Sequence, residues 1–173
     1  MARVRWDVLI RGGRVIDGTG NPWFYGDVAV SDGRIAEVAP KGLLDTALAS
    51  EVVDATGLVV CPGFIDIQSH SILPFLTDGR ALSKVFQGVT TEIMGEAWTP
   101  APVGGRIRDP FRSSLLAADP GGWAERAKTW TRFRAWLEDI QARGVSVNIG
   151  SFVGGATVRE YALGWDMGEP TAA

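Results

Sequence analysis

The chain is expected to fold as α/β, with a β-rich opening segment followed by strands that alternate with helices. Three observations carry this reading. Residues 1–58 hold short β-branched runs divided by tight-turn residues. After Leu58, strand-like runs at Phe64–Gln68, Val89–Met94 and Val145–Val153 are separated by stretches of helical character. Strands alternating with helices imply βαβ units and a parallel sheet. Finally, the stretch from Val59 to Ser71 begins apolar, breaks at Pro62-Gly63, resumes as a short apolar strand and then turns polar. A buried parallel strand reads this way, exposing polar side chains only at its C-terminal end.

Taken in order, Asp7–Arg11 and Arg14–Ile16 flank Gly12-Gly13 and are expected to form a hairpin. Asp27–Ser31 and Arg34–Val38 flank Asp32-Gly33, which supplies the positive-φ positions of a type I′ turn. Glu51–Ala55 is a further strand, ended by Thr56-Gly57. No acid, base and nucleophile gather in this part, so residues 1–58 read as a structural β-module.

Phe64–Gln68 opens the second part, 59–173, and a modest helix is expected near Arg80–Gln87. Val89–Met94 is read as a β-branched and apolar strand. The segment from Glu96 to Trp123 is rich in Pro and Gly, as long functional loops are. Its Trp98, Phe111 and Trp123 argue against disorder. Trp130, Phe133, Trp136, Leu137 and Ile140 recur at three- and four-residue spacing and predict a helix with one apolar stripe. Thr129 is its expected N-cap and Arg143-Gly144 its stop. A buried strand at Val145–Val153 and a short helix near Thr157–Ala162 complete the pattern.

The chain has 173 residues, ample for a sizeable core, and a net charge of −3. Mild acidity without a Lys/Arg-rich run argues against a nucleic-acid partner. No window reaches the ~18 uninterrupted apolar residues of a membrane span, and no signal peptide is evident. The single cysteine, Cys61, excludes an intrachain disulfide and fits a reducing compartment, so a cytoplasmic location is expected. Its apolar surroundings in sequence predict an inert core thiol.

Chemistry concentrates at the polar end of Phe64–Ser71. His70 is the only histidine in the chain. Neutral imidazole is a good zinc ligand, and a spacing of two along a strand places Gln68 on the same face. A glutamine amide is a weaker zinc ligand than imidazole; its alternative is to hydrogen-bond a neighbouring water or carbonyl. Glu96, after the strand Val89–Met94, offers a carboxylate for metal or is an exposed loop charge. Asp66 shares the register of Gln68 and His70 but lies deeper, so it is expected to support the strand end and is given no catalytic role.

Pro62-Gly63-Phe64-Ile65-Asp66-x-x-x-His70 resembles the first barrel strand of the amidohydrolase superfamily, P-G-[FL]-I-D-x-H-x-H. Asp17–Gly20, Gly26–Val30, Gly33–Ala36 and Gln87–Thr91 are similar to segments of its N-acyl-D-amino-acid deacylases, the D-aminoacylases. The resemblance covers nearly the whole chain. It implies the N-terminal part of a metal-dependent (β/α)8 TIM barrel, preceded by strands of a small β-sandwich. Residues 1–58 would be the sandwich segment and 59–173 the first three strand–helix units. It further implies zinc, as one or two divalent ions, and hydrolysis of the amide of an N-acyl amino acid.

Two positions depart from that pattern. Gln68 stands where the family's first metal-binding His is expected. Gly95-Glu96-Ala97-Trp98 replaces a loop that typically reads Gly-Asn-Cys-Gly, so the thiolate role does not transfer to Ala97. The metal-side residues that remain are His70, Glu96 and Gln68. A catalytic zinc takes about three protein ligands plus water, and the water needs a base. No base is found among these residues. A (β/α)8 barrel takes ~250 residues, so further ligands and the base are expected from the rest of a barrel, in further sequence or a second polypeptide. A non-catalytic relic or binding module, with the aromatic loop Trp98–Trp123 as its ligand surface, is the alternative. A barrel acting on another linear or cyclic amide is a third reading.

Overall fold

The structure is a computed structural model that describes residues 5–112 and 122–169. The chain divides into two units, Met1–Pro62 and Gly63–Ala173.

The first unit is a sheet of five strands: β1 (Trp6–Val15), β2 (Phe24–Ser31), β3 (Arg34–Pro40), β4 (Ala49–Asp54) and β5 (Val59–Val60). The order is β3-β2-β1-β4, with β5 also on β1. β1 runs antiparallel to β2 and parallel to β4 and β5. The β2–β3 hairpin turns on Asp32 (φ 51°) and Gly33 (φ 69°), as the Asp-Gly pair predicts. Trp6, Leu9, Ala29, Ala39 and Leu44 form the core of the unit.

The expected hairpin at Gly12-Gly13 is absent. β1 passes straight through these residues, with a register shift against β2 between Ile10 and Gly13. The reason lies 15 residues away. The buried carboxylate of Asp27 accepts from the Gly12 amide at 2.8 Å and from the Gly42 amide at 2.6 Å. Gly12 sits at φ 73°, a conformation open to glycine, so the chain bulges there instead of reversing. Cys61 is exposed, contrary to the expected core thiol. It follows the two-residue β5, where the apolar run has already left the core of the unit.

The second unit holds β6 (Phe64–Ser69), α1 (Ile72–Thr77), α2 (Leu82–Val85), β7 (Val89–Met94), α3 (Ala124–Ala127), α4 (Phe133–Arg143), β8 (Asn148–Ser151) and α5 (Gly155–Leu163). β6, β7 and β8 make a wholly parallel sheet in that order. Its core joins Phe75 and Leu76 of α1, Met94 of β7, Trp136 and Ile140 of α4, and Trp130.

Three expectations shift here. The helix begins at Phe133, with Arg132 in extended conformation before it, not at Thr129. Thr129 instead closes the turn after α3 by donating to the Arg126 carbonyl. Trp130 therefore lies outside the helix yet is fully buried, and its indole N–H donates to Asp139 of α4 at 2.6 Å. The third strand is shorter than Val145–Val153, pairing only from Asn148 to Ser151. β6 is not a buried strand in this chain: Phe64, Ile65 and Ile67 are 57%, 62% and 72% exposed. β6 is an edge of the sheet, hydrogen-bonded to β7 alone.

The loop after β7 is ordered over its described residues by aromatic packing. Trp98 meets Phe111, Phe111 meets Trp130 edge-on, and Trp130 meets Trp123. Phe111 and Trp130 belong to the core, and Trp98 and Trp123 are partly buried against it. Residues 113–121 of the Pro- and Gly-rich segment lie outside the described residues. Among the described residues, no helix is long and apolar enough to cross a membrane.

Candidate functional site

The strand ends of the second unit bring together two of the three predicted site residues. β6 and β7 pair in parallel through Ser69 and Met94, so Gln68 and His70 on one strand and Glu96 beyond the other leave the sheet at the same end. The Gln68 side-chain amide donates to Glu96 Oε2 at 2.8 Å. Both side chains are exposed, and His70 is exposed just beyond the end of β6.

Close backbone approaches hold the strands together at both ends of the sheet. Pro62-Gly63 leads into β6 where the chain runs against β7, and a Cβ on Gly63 would come within 2.2 Å of the Thr90 side chain. Gly95 precedes Glu96 where the chain passes β8. A Cβ there would lie 2.3 Å from the Phe152 carbonyl. The loop that carries Glu96 is fastened further on by two buried threonines 58 residues apart. The Thr99 amide donates to Thr157 Oγ1 at 2.8 Å, and Thr157 Oγ1 donates back to the Thr99 carbonyl at 2.9 Å. The Ala156 amide of α5 also donates to the Ala97 carbonyl.

Asp66 takes the supporting place expected of it. Its carboxylate pairs with Lys84 of α2 at 2.5 Å and accepts from the Gln68 amide at 3.1 Å. The Lys84 hydrogen bond, then that of the Gln68 backbone, hold the Asp66 carboxyl below its ordinary value, and the same ion pair raises the Lys84 ammonium.

The sequence reading missed Glu92. It sits in the middle of β7 in a run taken as apolar, and it is fully buried. Its Oε2 accepts from Ser69 Oγ in a short hydrogen bond. Ser69 Oγ also accepts from the Ser71 backbone amide and meets Ser71 Oγ at 2.9 Å. Among the described residues, Glu92 Oε1 is buried without a hydrogen-bond partner. The signal available was the residue type itself, since a carboxylate inside an otherwise apolar strand is seldom buried unpaired.

In donor chemistry, an imidazole and a carboxylate suit zinc. His70 and Glu96 are those groups, with Gln68 tied to the carboxylate. Among the described residues, no cluster of three His, Cys, Asp or Glu side chains is placed to hold a metal ion. A cavity of about 500 Å³ lies at the opposite end of β8, lined by Leu137, Val147 and Asn148 among others, and is remote from these groups.

A parallel βαβ sheet that gathers polar side chains beyond its strand C-termini is the architecture of α/β enzyme domains. No family profile matches the chain. The chain is 34% identical over 158 residues to a D-aminoacylase of Alcaligenes xylosoxydans xylosoxydans, covering 91% of itself and 31% of that enzyme. A solved D-aminoacylase with a binuclear metal center matches with a TM-score of 0.73 at 32% identity, over 90% of this chain and 31% of that one. The N-acyl-D-glutamate deacylase of Bordetella bronchiseptica, solved with zinc and a phosphonate inhibitor, matches with a TM-score of 0.74 at 30% identity, over 97% of this chain and 33% of that one.

The chain belongs to the D-aminoacylase family of amidohydrolases. It spans about a third of the length of these relatives.

Proposed function

We propose that this chain supplies the first strands of a metal-dependent (β/α)8 amidohydrolase that hydrolyses a C–N bond, most specifically the amide of an N-acyl-D-amino acid. The first unit, Met1–Pro62, serves as the structural β-segment, taking in Val59–Val60 beyond the expected boundary at 58, and the chain from Gly63 supplies the first three strand–helix units. The observation that carries the reading is the shared strand end, where His70 leaves β6 beside a Gln68–Glu96 pair joined at 2.8 Å. Zinc bound at such a site polarises an amide carbonyl as a Lewis acid.

The chain's own residues act around that point. His70 and Glu96 present the donor atoms. Gln68 fixes the carboxylate. Asp66 is occupied by Lys84 and braces the strand end beneath them. The exposed apolar side chains of β6 then face the rest of the barrel, whose strands supply the remaining ligands and the base. Kinship with the N-acyl-D-glutamate deacylase, solved with a mimic of the tetrahedral intermediate, supports the amide as substrate.

Metal analysis tests the reading. Purified protein dialysed against zinc should retain the ion, and His70→Ala should release it. Zinc retained equally by the variant removes His70 from the site. Turnover of N-acyl-D-amino acids is expected from the complete barrel and not from residues 1–173 alone.

A further inference from the structure

His70 is exposed, yet it sits between two buried serines, Ser69 and Ser71. Ser69 Oγ donates to the buried Glu92 carboxylate in a short hydrogen bond, accepts from the Ser71 amide at 3.1 Å and meets Ser71 Oγ at 2.9 Å. A serine hydroxyl has one proton to give and two lone pairs to receive with. With the Ser69 proton given to Glu92, both lone pairs are left for Ser71, one for its amide and one for its hydroxyl. Glu92 thereby fixes the sense of every hydrogen bond in the turn that carries His70.

Ser71 forgoes an alternative to take part. It stands at the N-cap of α1, where a serine side chain ordinarily bonds a free amide of the first turn, and it makes no such bond. On the other flank, Ser69 ends β6 and pairs with Met94 of β7, two residues beyond Glu92 in that strand. The chain on both sides of His70 is therefore tied to β7, through the ladder at Ser69 and through Ser69 Oγ at Ser71. A carboxylate buried in mid-strand breaks a local rule of the fold, and such breaks concentrate at functional sites.

We infer that Glu92 is a positioning residue for His70: through Ser69 it orients the two serines that flank the histidine and so sets where the imidazole leaves β6. This deepens the reading of His70 as a site residue and rests on it, but it depends on no ion and on no number of ligands. Gln at position 92 keeps an oxygen for Ser69 and preserves the arrangement. Leu, of similar size, offers no acceptor and abolishes it.

The test uses the isotope-labelled 173-residue chain without metal. His70 is the only histidine, so its ring Hε1 and Hδ2 resonances are assigned without ambiguity. Glu92→Leu and Ser69→Ala should each shift them and speed hydrogen exchange at the Ser71 amide about 5-fold. Glu92→Gln should leave both at the parent values. Ile140→Val, a conservative loss elsewhere in the core of the unit, should also leave both unchanged. Circular dichroism checks that each variant folds, and Ser69→Ala decides the matter if Glu92→Leu does not. Ring resonances unmoved in Ser69→Ala, moved equally by Ile140→Val, or moved as far by Glu92→Gln as by Ser69→Ala each overturn the inference. The metal-side reading of His70 fails separately, through zinc retained by His70→Ala.

Discussion

Asp27 in the first unit and Glu92 in the second are both buried carboxylates on strands, and they are used in opposite ways. Asp27 has each oxygen matched to a backbone N–H, at Gly12 and at Gly42. Those amides belong to a bulge and a turn that have no ladder partner of their own, so the side chain completes the backbone accounting of the unit. Glu92 has one oxygen on Ser69 and, among the described residues, no partner for the other. A fully matched carboxylate belongs to the scaffold. A half-matched one lies directly beneath the polar strand end, where local stability gives way to other demands.

The contrast is broken or sharpened by three substitutions. The largest effect is expected from Asp27→Asn. One oxygen becomes an NH₂ facing a backbone donor, leaving a buried N–H unmatched at a cost of about 1–3 kcal/mol. Urea unfolding should report the loss, with faster hydrogen exchange at Gly12 and Gly42. A change below about 0.5 kcal/mol would erase the distinction between the two carboxylates.

Glu92→Gln should be milder, within about 1 kcal/mol of the parent. The retained carbonyl oxygen still accepts from Ser69, and the NH₂ takes the place of the oxygen that has no partner now. Unfolding of the two variants under identical conditions compares them directly. A Glu92→Gln loss as large as that of Asp27→Asn would mean that Oε1 is matched after all.

The smallest effect concerns Asp66 and Lys84, whose side chains are about a quarter exposed. The Asp66 carboxyl is held below its ordinary value of 3.8, so its contribution is present above that pH and fades as pH falls through the lowered value. Lys84 is raised above 10.5, so its contribution is complete below that pH and fades as pH rises past it. Between these limits the pair is flat with pH. Lys84→Met should therefore cost about 0.5 kcal/mol near neutrality. The deficit should vanish in acid below the lowered Asp66 value. A deficit that persists there would assign the loss to packing of the Lys84 stem instead.

The sequence by itself determined what local geometry can enforce. Asp32-Gly33 dictates a type I′ turn because few other pairs tolerate two positive φ angles. The spacing of Phe133, Trp136 and Ile140 dictates one buried helix face. The Pro62-Gly63 break and the polar turn after Ile67 place His70 just past a strand end. Gln68 and Glu96 were legible as rim residues, and kinship with the D-aminoacylases was legible in the motif around them.

Tertiary structure alone decided the features that depend on partners far along the chain. Gly12-Gly13 carries a hairpin signal, but Asp27 captures its amide and turns it into a bulge. Trp130 fits the helical stripe, but Thr129 ends the preceding turn and the ring is buried from outside the helix. Glu92 is buried because Ser69 lies beside it, and Thr99 is fixed by Thr157. Register put Gln68 at the rim, but only the fold shows its side-chain amide donating to Glu96, 28 residues away. Periodicity records which face a side chain occupies. Which donor meets which acceptor on that face is set only when separate strands come to rest side by side.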